Sequence, residues 1–333
     1  MIRLIEALNY RCLRYASQPL DPFHVLVGPN ASGKTTFLDV IAFLGELVVD
    51  GPEAAISRRT PDYRDLTWNR SGRSFELAIE LAVPENRRQL LSEPYDTIRY
   101  EVAVGACSDT DAVGILQEKA LLKYWQPRQE SQRSLFPVEP EPPDTIMSPA
   151  RAKGTKSVLA KVVNGNDNYY LEAKEKATGG WTPSIRLGPH RSTLGTLLED
   201  ESLFPVSTWL RRLLTQGVQA IVLNSLRIRK ASPPGQVRGL KPDGSNLPWV
   251  VADLRKRSED RFRDWIAHLQ TALPDLVNIE STVREDDRHC YLTLCYNGGL
   301  KVPSWMASDG TLRLLALTLP AYLPESEGIY LVE

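Results

Sequence analysis

The 333-residue sequence predicts an α/β fold with a mixed sheet, an antiparallel β subdomain and an inserted region, on three observations. A glycine-rich loop at 28–35 stands between a short apolar run and an amphipathic helical stretch. Two later segments, 74–83 and 97–105, alternate apolar and polar residues as half-buried antiparallel strands do. A long helical pattern at 249–273 stops at Pro274. Strands and helices are therefore mixed along the chain.

Each element follows from its own periodicity. The apolar run 23–27 is predicted to be a strand that ends at Gly28, and the helix after the loop runs from about Lys34 to Val49 with a broad apolar face. The other predicted strands are 2–9, 12–20, 157–163, 169–173, 220–226, 277–284, 289–296 and a buried strand at 328–332. The other predicted helices are 205–215 and 311–319.

The composition divides the chain into three parts. An N-terminal lobe, 1–105, carries the glycine-rich loop, and a C-terminal lobe, 188–333, carries the later helices. Between them, 106–187 is predicted to be an insertion whose proline-rich part, 126–150, is a flexible loop with six prolines among polar residues.

Charge and cysteine content exclude some classes of protein. Forty basic residues nearly cancel 41 acidic ones, so net charge gives no argument for nucleic acid or membrane binding. The four cysteines show no CxxC pair, which fits reduced thiols in a cytoplasmic protein. The charged N-terminus does not suit a signal peptide, and no apolar run reaches the roughly 20 residues of a membrane span.

The loop at 28–35, here called the phosphate loop, has the pattern GxxxxGK[ST]. Glycines let the backbone wind around phosphate oxygens, so that its amide hydrogens point at the negative charge. Lys34 is placed to reach the β and γ phosphates, and Thr35 to hold Mg²⁺. The alternative, an accidental glycine turn, would not require a strand before the loop and a helix after it. The predicted cofactors are ATP and Mg²⁺, bound by the following residues: Gly28, Pro29, Asn30, Ala31, Ser32, Gly33, Lys34, Thr35 and Thr36.

A second polar turn, 308–311, opens an apolar helix and is here called the signature turn. Its hydroxyl, amides and positive helix end suit a γ-phosphate, although an ordinary helix N-cap would use the same residue types. Some residues later, an apolar strand ends in Glu333, as a Walker B strand ends in an acid. Lys34 and Glu333 are the candidate catalytic residues, and Thr35 and Glu333 the candidate metal ligands.

These motifs together resemble the ABC-type ATPase heads of the SMC, RecF and OLD families, especially predicted AAA-type ATPases linked to anti-phage defence. Asn9-Tyr10-Arg11 is similar to the Asn-Phe-Arg segment near their start, and 243–248 is similar to a segment of the OLD-like branch. The stretch 106–220 has no match to that pattern. The resemblance implies a P-loop nucleoside triphosphatase fold.

The resemblance also implies how the site is assembled. Two heads pair head to tail, so that Ser308, Gly310 and Thr311 contact ATP held by the other subunit, while Arg11 lies near the nucleotide of its own subunit. ATP would then act as a dimerisation ligand. An associated effector, a nuclease or toxin, is implied as the partner that the head controls, in anti-phage defence or DNA repair.

The sequence departs from the family pattern at its end. The family has two consecutive acids after this strand, whereas Val332 precedes Glu333. The histidine that the family carries beyond the strand is missing, and no glutamine stands clearly at the Q-loop distance. We therefore expect the 333 residues to be part of a longer chain with an effector beyond; a chain ending at Glu333 would bind ATP with little hydrolysis.

Basic residues gather around Pro233-Pro234-Gly235, namely Arg227, Arg229, Lys230, Arg238 and Lys241. They could contact DNA phosphates, but a solvated loop is the favoured interpretation because no aromatic residues are interleaved for base stacking. DNA as a partner depends mainly on the resemblance.

Three other functions compete with the ATPase head. A nucleotide-sensing scaffold that binds ATP without hydrolysis fits the incomplete pair of acids. A small-molecule kinase would need a lid with arginines and no signature turn, and a transporter ATPase would need the Q-loop and a shorter spacing.

Overall fold

A computed structural model describes residues 1–107, 112–126, 141–150, 152–162, 164–173, 184–237, 239–324 and 328–333. The chain forms two compact units, 1–218 and 219–333. The strands are β1 Ile2–Tyr10, β2 Leu13–Pro19, β3 Ser74–Ala82, β4 Thr97–Ala106, β5 Val113–Lys123, β6 Thr155–Val162, β7 Asp167–Tyr169, β8 Ser184–Ile185, β9 Val218–Ile221, β10 Leu276–Val283, β11 Cys290–Tyr296, β12 Lys301–Pro303 and β13 Ile329–Val332. The α-helices are α1 Lys34–Asp50, α2 Pro52–Ser57, α3 Glu85–Arg88, α4 Pro205–Arg212, α5 Ser225–Ile228, α6 Leu247–Arg257, α7 Glu259–Gln270 and α8 Asp309–Thr318.

The first unit is built on an eight-stranded antiparallel sheet in the order β2-β1-β3-β4-β5-β6-β7-β8. β5 to β8 thus extend the sheet that begins in the predicted N-terminal lobe. Strands alternate between two faces, so one face collects the apolar side chains that pack on helix α1. The predicted strands at 2–9, 12–20, 74–83 and 97–105 are confirmed.

Helix α1 is fixed to this sheet by aromatic packing. Phe43 of α1 meets Tyr10 of β1 and Phe75 of β3, with ring centroids 5.8 and 5.4 Å away. All three side chains are essentially inaccessible to solvent. Since burial of large aromatic rings contributes strongly to stability, this contact in the middle of α1 holds the helix, which begins at the phosphate loop, on strands β1 and β3.

The described end of the proline-rich loop lies on the other face of the sheet, while 127–140 lie outside the described residues. Ile146 in this end is buried. Its amide donates a hydrogen bond to Glu76 at 2.7 Å, and its carbonyl oxygen accepts one from Arg99 at 2.8 Å. Residues 145–148 therefore form a strap that covers the charged face of the central strands.

The second unit has its own core between a sheet and three helices. β10, β11 and β12 form an antiparallel sheet, and β9 pairs with β13. Trp265 of α7 is fully buried and donates through Nε1 to Thr318 of α8 at 2.8 Å. The predicted hairpin of 277–284 and 289–296 is confirmed by the β10–β11 register.

Some predicted elements are wrong. The run 23–27 is not a strand, because no described strand pairs with it, and Phe23 and Val27 are 85% and 91% exposed. The long helix 249–273 breaks at Ser258, whose φ of −148° is extended. Three basic residues lie just before the break, where they suit the C-terminus of a helix, and two acids lie just after it, where they suit an N-terminus. This charge pattern is the signal in the sequence for two helices instead of one.

Further predicted strands differ in extent, and of the one at 169–173 only Tyr169 lies in a strand, β7. The strand predicted at 220–226 ends at Ile221, and Asn224 then caps α5 by accepting hydrogen bonds from the amides of Leu226 and Arg227. The strand predicted as buried at 328–332 forms as β13, but Val332 is 47% exposed. An asparagine cap is a local signal that apolar periodicity does not contain.

Candidate functional site

The phosphate loop is an exposed turn that enters α1 through a left-handed residue. Gly33 has φ +91° at the helix N-cap, and Ala31 has φ +62°. No side chain caps the first amides of α1, since the N-cap residue is glycine. The amides at the positive end of a 17-residue helix therefore remain available for an anion, as triphosphate binding requires.

Lys34 places its ammonium group inside the phosphate loop. Its Nζ donates to the carbonyl oxygens of Gly28 and Pro29 at 2.8 and 2.7 Å, and lies 3.4 Å from Ser32 Oγ. These acceptors are exposed groups of the loop itself. The ammonium group would bind phosphate oxygens more strongly than these neutral carbonyl oxygens, because hydrogen bonds between charged partners are stronger.

Gly33 is the point of closest packing between the phosphate loop and the β1–β2 turn. A Cβ atom at this position would lie 3.1 Å from Leu13 Cδ2 and 3.2 Å from Cys12 Sγ. The Cys12 thiol also donates to Thr36 Oγ1 at 3.3 Å. The β1–β2 turn therefore lies directly against the start of α1, and only glycine combines the left-handed φ with this contact.

Arg11 in the same turn is tied to α1 through Asp39. Arg11 Nη1 lies 3.1 Å from Asp39 Oδ2, and the hydroxyl of Tyr10 donates to the same oxygen at 2.6 Å. Arg59 contacts the other side of this carboxylate through Nε and Nη2 at 2.9 and 2.6 Å. Although burial raises it, hydrogen bonds from Arg59 and Tyr10 keep the pKa of Asp39 below its usual value.

Tyr10, Asp39 and Arg59 were not identified as site residues from the sequence. Asp39 stands four residues after Thr35, so both lie on one face of α1, and this spacing is a signal for a residue near the loop. Arg59 has no such signal, because only the fold of α1 and α2 brings it to Asp39.

The signature turn is a capped helix start in the second unit. Ser308 Oγ accepts a hydrogen bond from the amide of Thr311 at 3.1 Å and lies 2.8 Å from its hydroxyl. Asp309 forms an ion pair with Arg229, which also donates to the carbonyl oxygen of Trp305 at 3.1 Å. The N-cap expected as an alternative is present, and Ser308, Asp309 and Gly310 are nevertheless exposed to a ligand.

Glu333 follows β13 and is exposed. Its amide donates to the carbonyl oxygen of Ile221 in β9 at 3.0 Å. The predicted site residues thus form two sets, one in each unit. The first contains Arg11 and 28–36, and the second contains Ser308, Gly310, Thr311 and Glu333.

Two of the basic residues around Pro233-Pro234-Gly235 are engaged with acids. Arg227 pairs with Asp243 at 2.8 Å, and Arg229 pairs with Asp309. Arg238 lies outside the described residues. These ion pairs reduce the positive charge that the cluster could offer to phosphates.

Comparison with known proteins gives a family match and a likeness to solved structures. The family model described as AAA ATPase domain matches residues 1–176, which include the phosphate loop and the β1–β2 turn. Among solved structures, the chain is similar to the SmcHead bound to the C-winged helix domain of ScpA, at 14% identity and a TM-score of 0.49. That match covers 98% of this chain and 78% of the other. No curated protein matches the chain.

In the described part of the chain, no helix combines the length and the apolar character that a membrane crossing needs.

Proposed function

The chain belongs to the AAA ATPase domain family, and from this we propose that it is an ATP-binding head that pairs head to tail with a second copy on ATP. The family match confirms the predicted class of ATPase with a mixed α/β fold and a large sheet. The observation that carries ATP binding is the position of Lys34 Nζ, 2.7–2.8 Å from two carbonyl oxygens of its own phosphate loop.

The residues of the first unit divide the work of binding the triphosphate. Backbone N–H groups of 28 and 30–36 donate hydrogen bonds to phosphate oxygens, and Lys34 exchanges its loop carbonyls for the β and γ phosphates. The exposed hydroxyl of Thr35 is the ligand offered to Mg²⁺. The bound metal would neutralise charge between the phosphates. Arg11 reaches the nucleotide from the β1–β2 turn.

The second set of residues belongs to the composite site of the dimer. Ser308, Gly310 and Thr311 contact the ATP of the partner subunit, and Glu333 lies at the metal side or the water side of the γ-phosphate. The dimer controls an effector, a nuclease or toxin, in cytoplasmic anti-phage defence or DNA repair. The resemblance of the motifs supports this part of the proposal.

A scaffold that binds ATP without hydrolysing it is the second candidate function. The resemblance implies two consecutive acids, and the residue before Glu333 is Val332. If Glu333 takes the water side, Val332 stands at the metal side, where a valine cannot hold Mg²⁺. Phosphate release under conditions that saturate the dimer separates the two functions: turnover supports the ATPase, and stable ATP-bound dimers without phosphate release support the scaffold.

Substitutions at Ser308 test the dimer against the ordinary N-cap. Aspartate caps helices as well as serine but brings a negative charge toward a triphosphate. Ser308→Asp should therefore keep the melting temperature and abolish ATP-dependent dimerisation, measured by light scattering after gel filtration. Ser308→Arg should also abolish dimerisation, because its side chain is too bulky for the composite site. Lys34→Ala should shift dimerisation to higher ATP concentration, because this variant binds ATP more weakly. If Ser308→Asp and Ser308→Arg both dimerise with ATP like the wild type, the head-to-tail pairing is wrong.

A further inference from the structure

The carboxylate of Asp39 is shared unequally between two arginines. Arg59 contacts both of its oxygens with three distances of 2.6–2.9 Å, and its side chain is only 10% exposed. Arg11 reaches one oxygen with one nitrogen, at 3.1 Å, and its side chain is 39% exposed. Arg59 is the permanent partner in this geometry, and Arg11 is the loosely held one.

Other contacts fix Arg59 in place. Its guanidinium also contacts Glu46 Oε2 and the carbonyl oxygen of Ala55, both at 2.6 Å. The same group lies 5.1 Å over the ring of Phe43. The three guanidinium nitrogens thus contact a carboxylate on each side and a carbonyl oxygen, and the group also lies over an aromatic face, an arrangement that only arginine can make.

Arg11, by contrast, can move away while the carboxylate of Asp39 keeps other partners. After its departure the carboxylate keeps the hydroxyl of Tyr10 at 2.6 Å and the contacts from Arg59. A partly buried carboxylate that loses its last cation is strongly destabilised, because a charge without a partner is left away from water. Because Arg59 supplies the remaining charge, the departure of Arg11 costs little.

The β1–β2 turn carries Arg11 at the edge of the phosphate loop. The next residue, Cys12, contacts Thr36, and it would touch a Cβ atom at Gly33. Arg11 itself has a left-handed φ of +51°, and its amide is held by the carbonyl oxygen of Leu66 at 2.9 Å. The backbone is therefore fixed beside the loop, and only the side chain has to move.

From this geometry we propose that Asp39 is a resting site for Arg11, and that Arg59 is a positioning residue which neutralises Asp39 so that Arg11 can transfer to the bound triphosphate. The inference rests on the proposed ATP binding. Without Arg59, Arg11 is the one cation that the described residues still place on Asp39, and the transfer becomes costly. Without the charge of Asp39, Arg11 is released before ATP arrives.

The test is the dissociation constant for ATP with Mg²⁺ in two double-mutant cycles. Arg59→Gln should weaken ATP binding by roughly three- to tenfold, as expected from loss of about 1 kcal/mol. Asp39→Asn should strengthen it. Both effects should disappear when Arg11→Ala is already present, because the transfer then has no arginine to move.

The two cycles distinguish a positioning role of Arg59 from a purely structural role. A purely structural role of Arg59 would weaken binding equally with and without Arg11, and that result overturns the proposal. The proposal is also overturned if Asp39→Asn strengthens ATP binding equally with and without Arg11. In that case the stronger binding would come only from removing the negative charge of Asp39 near the triphosphate. If Arg59→Gln does not fold, the gain in Asp39→Asn still decides, because misfolding cannot strengthen binding. Absence of ATP binding by the wild type overturns this inference and the proposed function together.

Discussion

The ammonium nitrogen of Lys34 lies 2.8 Å from the carbonyl oxygen of Gly28, so the cation of the phosphate loop is held by the loop itself. Lys34→Ala removes it without leaving a buried group unpaired, because the two carbonyl oxygens are exposed. We expect ATP affinity to fall roughly 10- to 100-fold, the value of one charge-assisted hydrogen bond or two, with little change in melting temperature.

A matched control for Lys34→Ala is Lys156→Ala. Lys156 lies on β6 and donates to Ser92 Oγ at 2.9 Å, four strands from β1 and so roughly 19 Å away across the sheet. Calorimetric titration with ATP should show unchanged affinity in the control. Equal ATP affinity in Lys34→Ala and the wild type would contradict the assignment of the phosphate loop.

Gly33→Ala should abolish ATP binding and lower the melting temperature. The substitution places a Cβ at φ +91° against Cys12 and Leu13, and the left-handed region alone costs an alanine about 1–2 kcal/mol. Gly154→Ala is the matched control, because its φ is +72° and no atom lies within 4 Å of the added Cβ. Thermal unfolding should show the larger loss for Gly33→Ala; equal losses would mean that the close contact with the β1–β2 turn is not maintained in solution.

Ionisation of Glu172 should lower the free energy of unfolding of the first unit as pH rises. Its buried carboxylate accepts hydrogen bonds from the amides of Val206 and Ser207 at the start of α4. Burial raises its pKa from 4.5 to about 7, against the lowering effect of the Ser207 hydroxyl and these amides. The folded state therefore binds more protons than the unfolded state between pH 4.5 and 7. The free energy of unfolding falls through this window, by on the order of 3 kcal/mol.

The measurement is chemical denaturation at several pH values between 5 and 8. Other groups also titrate in this range, so the difference between the wild type and Glu172→Gln is the quantity of interest. The wild type should lose more stability than the variant as pH rises. Parallel curves would show that the carboxyl group is ionised throughout and stabilised by the helix start.

Cys12 should be the thiol through which a reagent blocks ATP binding. It is exposed and contacts Thr36, whereas Cys107 and Cys290 are buried, and burial raises the pKa of Cys290 to about 11. We expect alkylation by N-ethylmaleimide at Cys12 to weaken ATP binding by bulk beside Gly33, and ATP to slow the labelling. Cys12→Ser is the control and should be insensitive to the reagent. Peptide mass spectrometry that finds Cys12 fully alkylated with ATP affinity intact would contradict this placement.

The sequence by itself determined the phosphate loop, helix α1 and the strands β1 to β4. Their signals are local, since glycine and lysine at fixed spacing, apolar periodicity and alternation depend on neighbours in the chain. The Ser308 cap could also be predicted, because a serine just before a helix can accept a hydrogen bond from a free amide of the first turn, here that of Thr311. This contact is local and does not depend on the rest of the fold.

Only the tertiary structure decided which side chains meet at Asp39. Tyr10, Arg11 and Arg59 come from the β1–β2 turn and the segment after α2, so their convergence depends on the packing of α1 on the sheet. The same holds for the run 23–27, whose apolar pattern suits a strand but which finds no hydrogen-bonding neighbour among the described strands. A strand forms only where a neighbouring strand can hydrogen-bond to it, and a cluster of charged side chains forms only where the fold brings distant residues together. Local periodicity in the sequence contains neither kind of information.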